Sequence, residues 1–122
     1  MDMWDFTDDK PIYLQLTEQM CLRIANGTYK PGEKFPSVRD IATEAGVNPN
    51  TVQRAFSELE RSGIVCAQRT TGRFITEDSD MIYKLREDLA KEHAQTFLKK
   101  MASLGYSRNE AADFLSKVKE EL

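Results

Sequence analysis

Residues 37–62 read SVRDIATEAGVNPNTVQRAFSELERS, which predicts a short helix, a tight turn and a longer helix. Ser37 and Asp40 have the spacing of a capping box, in which a hydroxyl and a carboxylate satisfy free N–H groups at a helix start. Gly46 ends the short helix, and Asn48, followed by a proline, can cap the longer one. The longer helix is predicted to run to the end of the quoted stretch.

The longer helix has one apolar face and one polar face. The apolar face consists of Val52, Ala55, Phe56 and Leu59, at the three- and four-residue spacing of a buried stripe. The opposite face presents Asn50, Gln53, Arg54, Ser57 and Arg61. The major groove of DNA admits an α-helix, and amide and guanidinium groups can meet its base edges through paired hydrogen bonds. This face suits duplex DNA, although a solvated helix face has the same composition.

The flanking segments complete the pattern. Apolar residues recur every four positions between Pro11 and Asn26, which predicts a preceding helix, and the linker from Thr28 to Ser37 contains at most a short strand. Two β-rich runs follow, 64–67 and 73–76, and predict a hairpin with a polar tip. Three helices followed by a two-stranded hairpin are the order of a winged helix-turn-helix.

Charge is unevenly distributed along the chain, which has a net charge of -3. Residues 10–76 carry nine basic and six acidic side chains, whereas residues 1–9 carry four acidic side chains and no basic one. Residues 77–122 carry eight basic and ten acidic side chains. A mildly basic body therefore lies between acidic ends, and binding to a polyanion is permitted for the body only.

Three segments also resemble a known family: PIYLQL at 11–16, PGEKFPSVRDIATEAGVNPNTVQRAFSELERSGIV at 31–65, and TTGRF at 70–74. They are similar to the GntR-type winged helix-turn-helix regulators of bacteria, over residues 11–76. The length after this region, enough for two helices, resembles the short YtrA-like subgroup, which dimerises through such helices. The resemblance implies a DNA-binding transcription regulator, and repression rather than activation.

The resemblance also implies which residues contact DNA. Arg39 matches the arginine at the start of the family's second helix, and the wing tip departs from the common Gly-Lys-Gly-Thr pattern by retaining only the glycine. The basic wing side chains could reach phosphates or a narrow minor groove. The predicted DNA-binding residues are Ser37, Arg39, Asn48, Asn50, Thr51, Gln53, Arg54, Arg69, Thr71, Gly72 and Arg73.

The C-terminal part predicts a helical hairpin. One helix is expected from Ser79 to Leu104, and a second capping box, Ser107 to Glu110, opens another. These helices either pack back on the winged domain or meet a second chain, and their outward apolar residues favour a homodimer. The expected interface residues are Ile82, Leu85, Leu89, Phe97, Met101, Phe114, Leu115 and Val118.

The predicted fold class is therefore mainly α with a small β-hairpin. A winged helix-turn-helix domain, residues 1–78, precedes a two-helix dimerisation hairpin, residues 79–122. A two-fold dimer would place its recognition helices about 34 Å apart and require an inverted-repeat operator. The sequence leaves open a small-molecule effector, which would act between the terminal helices or between them and the winged domain.

Other functions have little support. The widely spaced Cys21 and Cys66 and the lone His93 predict reduced thiols and no metal site. We expect no catalytic residue, no cofactor, no membrane association and a cytoplasmic location, since no nucleophile–base pair, phosphate loop, signal or apolar span is found. The main alternative is a winged helix used for protein association without specific DNA binding. Trp4 and Phe6 could fold over the body or over a partner.

Overall fold

The structure is a computed structural model and describes residues 4–68 and 70–119. Within these residues, five helices and one two-stranded antiparallel sheet are found. The helices are α1 (Ile12–Ala25), α2 (Val38–Ala45), α3 (Pro49–Ser62), α4 (Ser79–Ser103) and α5 (Arg108–Lys117), and the strands are β1 (Val65–Gln68) and β2 (Gly72–Ile75). The mainly helical fold with a small hairpin is confirmed.

The described residues divide into two compact units, with the boundary between Arg86 and Glu87, inside α4. The first unit is the winged helix, and the first two turns of α4 belong to it because Met81, Ile82 and Leu85 pack against its core. The second unit consists of the rest of α4 and α5. The functional division at residue 78 remains a prediction.

The core of the first unit is built from the predicted helix stripes. Leu16, Met20 and Ile24 of α1 are at most 1% exposed. They lie in one cluster with Ile41 of α2 and with the apolar face of α3, whose members are Val52, Ala55, Phe56 and Leu59. The apolar face of α3 therefore packs in the core, and its opposite, polar face lies outside the core.

The start and end of α2 follow the predicted capping chemistry. The Ser37 hydroxyl accepts a hydrogen bond from the Asp40 N–H at 3.1 Å, and the Asp40 carboxylate accepts one from the Ser37 N–H. Gly46 follows α2 with φ of 69°, a left-handed conformation that glycine adopts without steric cost. The turn between α2 and α3 therefore has a local sequence cause.

The hairpin forms close to the predicted runs, and the linker adds a bridge to it. In the hairpin Val65 pairs with Ile75 and Gln68 with Gly72, so each strand is displaced by one residue from the predicted run. The linker before α2 adds a bridge between Lys34 and Phe74, and the Phe35 N–H donates to the Arg73 carbonyl at 2.7 Å. The linker thus holds the base of the wing beside the start of α2.

The N-terminal segment folds over its own chain. Trp4 and Phe6 are half-buried and pack against the core of the first unit. The indole N–H of Trp4 donates to Glu44 of α2 at 2.8 Å, and the Arg23 guanidinium carbon lies 3.6 Å from the centre of the Trp4 ring. The sequence left open whether Trp4 and Phe6 fold over the body or over a partner, and in the structure they fold over the body of their own chain.

Candidate nucleic-acid interface

The polar face of α3 is the centre of the candidate site. Asn50, Gln53 and Arg54 are exposed on it, and Thr51 is half-buried. The Asn48 side chain accepts a hydrogen bond from the Asn50 N–H at 2.7 Å and so caps the helix, as the sequence predicts. The partial positive charge of a helix N-terminus favours phosphate groups nearby.

Arg54 contacts a neighbouring ring. Its guanidinium carbon lies 3.7 Å from the ring centre of Tyr13, in the first turn of α1. Tyr13 and Arg54 line one shallow depression together with Ile12, Asn50 and Thr51. The sequence did not predict Tyr13 at the site, because nothing in the periodicity of α1 shows which residue of α3 it meets.

Arg39 and Ser37 lie at the start of α2. Arg39 is exposed in the first turn, where its guanidinium is accessible to a phosphate. Ser37 is exposed too, but its hydroxyl is already used to cap α2. Arg39 is therefore the better phosphate ligand of the two.

An open groove separates the start of α2 from the wing. It is lined by Lys34, Ser37, Asp40, Thr71, Gly72 and Arg73, together with their neighbours Phe35, Pro36 and Thr70. Of the predicted site residues, the groove brings Ser37, at the start of α2, together with Thr71, Gly72 and Arg73 of the wing.

The sequence pattern does not predict a place at the site for Lys34, whose side chain lies against Gly72 of the wing. A Cβ atom at Gly72 would lie 3.2 Å from the Cε atom of Lys34, so glycine permits this close approach. The bridge from Lys34 to Phe74 is formed by a linker without helix or strand periodicity, and no local signal predicts it.

The predicted wing residues differ in their surroundings. The Arg73 Nε–H donates to the Glu60 carboxylate at 2.8 Å, and the guanidinium carbon lies 4.9 Å from the Phe56 ring centre. The Thr71 hydroxyl is hydrogen-bonded to Gln68 at 3.2 Å. Arg69 lies outside the described residues. Arg73 thus has a structural partner on α3, which its assignment as a DNA contact did not anticipate.

Comparison with known proteins identifies the family. The family model "Bacterial regulatory proteins, gntR family" matches residues 12–75. The uncharacterized HTH-type transcriptional regulator YhcF of Bacillus subtilis is 43% identical over 105 residues, which are 86% of this chain and 87% of YhcF. The chain belongs to the GntR family. As a member it is a DNA-binding transcription regulator, which confirms the predicted family and the coarse function.

Two further matches refine the position within the GntR family. The HTH-type transcriptional repressor YtrA of Bacillus subtilis is 48% identical over 69 residues, which are 57% of this chain and 53% of YtrA. The solved structure of a GntR family transcriptional regulator from Listeria monocytogenes has a TM-score of 0.87 at 40% identity, covering 93% of this chain and 100% of that one. The predicted YtrA-like character is confirmed.

The residues assigned to a dimer interface fall into two groups. Ile82 and Leu85 pack on the winged-helix core of their own chain, so their apolar character already has an intramolecular cause in this GntR protein. In the second unit Met101 is 9% exposed and Leu89 and Phe97 are half-buried.

Ala111 of α5 is buried, whereas the large apolar side chains at the C-terminal end of the helix are exposed. Phe114 is 44% exposed, Leu115 58% and Val118, at the C-terminal cap of α5, 52%. The Phe114 ring also makes an edge contact with Tyr106, their centres 5.6 Å apart. The exposed apolar residues of α5 are available for association with another molecule.

Metal binding and membrane insertion were both considered for the described residues of this GntR protein. No group of three or more His, Cys, Asp or Glu side chains is arranged there to hold a metal ion. Likewise, none of the described helices is long and apolar enough to cross a bilayer.

Burial, with a smaller contribution from the charge of Glu18, raises the pKa of the Cys21 thiol to about 11.

Proposed function

We propose that this GntR regulator is a repressor that binds an inverted-repeat operator as a homodimer and acts in the cytoplasm, where bacterial DNA lies. The observation that carries the proposal is the polar face of α3. Its cap at Asn48 and its exposed Asn50, Gln53 and Arg54 face away from the core that fixes the helix. Such a helix can enter a major groove with its N-terminal residues at the base edges.

Arginines on α2 and α3 have different proposed roles. Arg54 carries five N–H donors in a plane, which match the O6 and N7 acceptors of guanine, so we assign it to base recognition. Arg39, in the first turn of α2, is assigned to a phosphate, and phosphate contacts carry no direct sequence information. Ser37, Asn48, Thr51 and the wing residues Thr71, Gly72 and Arg73, with Arg69 outside the described residues, are proposed to lie near the backbone.

Dimerisation is proposed to use the second unit. The exposed side chains of Phe114, Leu115 and Val118 form apolar surface that a second copy of the chain can cover. A two-fold axis through such an interface would present one recognition helix to each of two half-sites about 34 Å apart.

Repression is supported by the likeness to YtrA, whose name records a repressor. A regulator that occupies an operator needs no further chemistry to block transcription. A small-molecule effector that releases the DNA remains part of the proposal, and a thermal shift on adding candidate metabolites is its simplest test.

The test is selection from a random-sequence duplex library by the full chain, washed at about 0.15 M salt, where weak nonspecific complexes are largely lost. The proposal expects an enriched inverted repeat. Affinity for that duplex should fall steeply with salt, because phosphate contacts release counterions. A folded chain that enriches no sequence would instead support the alternative of a protein-association module.

Two variants separate the proposed arginine roles. Arg39→Ala should weaken the selected duplex and a scrambled duplex by similar factors and reduce the salt slope. Arg54→Ala should lower affinity for the selected duplex by about 1–3 kcal/mol and change the scrambled duplex much less. Equal losses on both duplexes with Arg54→Ala would make Arg54 a phosphate contact and contradict its assignment to base recognition.

A further inference from the structure

Three other arginines of the winged unit pair with a carboxylate, and two of them, Arg23 and Arg73, also lie over a ring. Arg23 pairs with Glu44 at 3.8 Å, Arg61 with Glu58 at 3.0 Å and Arg73 with Glu60 at 2.8 Å. For Arg54 the contact that the structure shows is the neutral ring of Tyr13, at 3.7 Å. A carboxylate would orient this arginine but would also compete with DNA for its charge and its N–H groups, whereas a ring does not compete in this way.

Stacking on a ring also leaves the donors of an arginine free. The N–H groups of a guanidinium lie in its plane, and a ring below that plane covers a face rather than the edges. A stacked arginine can therefore still form two parallel hydrogen bonds to a guanine. Holding the side chain beforehand reduces the conformational entropy that is lost on binding.

The scaffold keeps Tyr13 itself in place. Tyr13 is half-buried, and its backbone carbonyl accepts a hydrogen bond from the Thr17 hydroxyl at 2.7 Å. The next turns of α1 are anchored by Leu16 and Met20, both fully buried in the core against which α3 also packs. The α1 helix carries the ring and the α3 helix carries Arg54. Because both helices pack on one core, the ring and the arginine are kept side by side.

We propose that Tyr13 is a positioning residue that holds Arg54 ready for base recognition and so contributes to the choice of operator. This inference rests on the proposed function, because it requires Arg54 to meet a base. The proposed role gives α1 a part in sequence discrimination, although α3 is the helix that is expected to enter the major groove of DNA.

A first experiment needs no DNA. The aromatic ring should shift the Hδ protons of Arg54 upfield in the NMR spectrum and restrict the motion of its Nε–H bond. Tyr13→Leu should abolish both effects, and Tyr13→Phe, which retains the ring, should restore them. If the Arg54 signals are the same in the wild type and in Tyr13→Leu, the ring does not hold the arginine and the proposal is wrong.

A second experiment measures discrimination, using the duplex enriched from the random library and a scrambled duplex of equal composition. Tyr13→Leu should reduce the ratio of the two affinities by about two- to five-fold, the range of an exposed cation–π contact. Tyr13→Phe should keep the wild-type ratio, and thermal unfolding of each variant checks that the fold is retained.

The same assay in an Arg54→Ala background separates positioning from structural damage. There Tyr13→Leu should cause no further loss of discrimination, because the group that it positions is absent. A full additional loss, or an unchanged ratio for Tyr13→Leu alone, would overturn the positioning role. An unchanged ratio for Arg54→Ala by itself would overturn the base contact in the proposed function as well.

Discussion

The Nε–H group of Arg73 in β2 donates a hydrogen bond to the Glu60 carboxylate of α3 at 2.8 Å. About a quarter of each side chain is exposed, 24% for Arg73 and 28% for Glu60. The guanidinium also lies over the ring of Phe56, which is fully buried. This pair joins the wing to the predicted recognition helix, so that both parts of the proposed DNA-binding surface are attached to one core.

Loss of this pair should destabilise the protein. We expect Arg73→Ala to lower the free energy of unfolding by about 1–2 kcal/mol, because the Glu60 carboxylate loses a charge-assisted bond where solvent compensates only in part. Arg61→Ala is the matched control, since its pair with Glu58 leaves Arg61 76% exposed, and should cost less than about 0.5 kcal/mol. Urea unfolding measures both variants, and equal losses would show that the Arg73 pair has no special weight.

A substitution at the N-cap of α3 should separate stability from DNA binding. Asp is as good an N-cap as Asn, so Asn48→Asp should leave the free energy of unfolding within about 0.5 kcal/mol, whereas Asn48→Ala should lower it by about 1 kcal/mol. The new carboxylate would repel phosphates near the helix start, and Asn48→Asp should therefore weaken binding to every duplex at low salt. Unchanged affinity would mean that this end of α3 does not approach DNA.

The two cysteines should differ in reactivity. Burial raises the pKa of Cys21 from its ordinary value of 9.0 to about 11, whereas Cys66 is exposed. Because the thiolate is the reactive form, iodoacetamide at pH 8 should modify Cys66 first and Cys21 only after unfolding, as mass spectrometry of the labelled peptides will show. Early modification of Cys21 would contradict its burial.

The same shift predicts a loss of stability in alkali. The folded chain holds the Cys21 proton more tightly than the unfolded chain does, so this contribution to stability is complete below pH 9. It should decline as the pH rises from 9 toward 11. Replacing Cys21 with Ala should remove this part of the pH dependence in urea unfolding, and an identical alkaline decline in both proteins would contradict it.

The proposed dimer can be tested on α5. Leu115 is 58% exposed, so Leu115→Glu should leave each chain folded while placing a charge in the proposed interface, and the mass by light scattering should fall to that of one chain. Leu22→Glu is the control, because Leu22 is a similarly exposed leucine, at 48%, on α1. A wild-type mass of a single chain at micromolar concentration would contradict dimerisation itself.

Local sequence signals predicted the elements of this fold well. The capping box at Ser37, the Asn48 cap and the glycine after α2 each act within a few residues, so the α2 and α3 helices begin and end as the sequence indicates. The buried stripe of α3 was predicted in full, because helical spacing alone fixes which residues share a face.

Contacts between elements could not be predicted in the same way. The ring of Tyr13 beside Arg54, and Lys34 against Gly72, depend on how helices and linker pack rather than on local spacing. An apolar stripe likewise indicates that a face is buried but not what covers it. Ile82 is an example: its place in the stripe predicted a dimer interface, but in the structure it packs on its own winged unit.

The proposed function requires two copies of this chain to bind one inverted repeat. Its most direct test is the affinity for the enriched duplex compared with the same half-sites, at the same spacing, with one half-site reversed into a direct repeat. Fluorescence anisotropy at about 0.15 M salt should show at least roughly ten-fold tighter binding to the inverted repeat, since only that duplex matches two-fold symmetry. Equal affinity for the two duplexes would contradict a symmetric dimer on its operator.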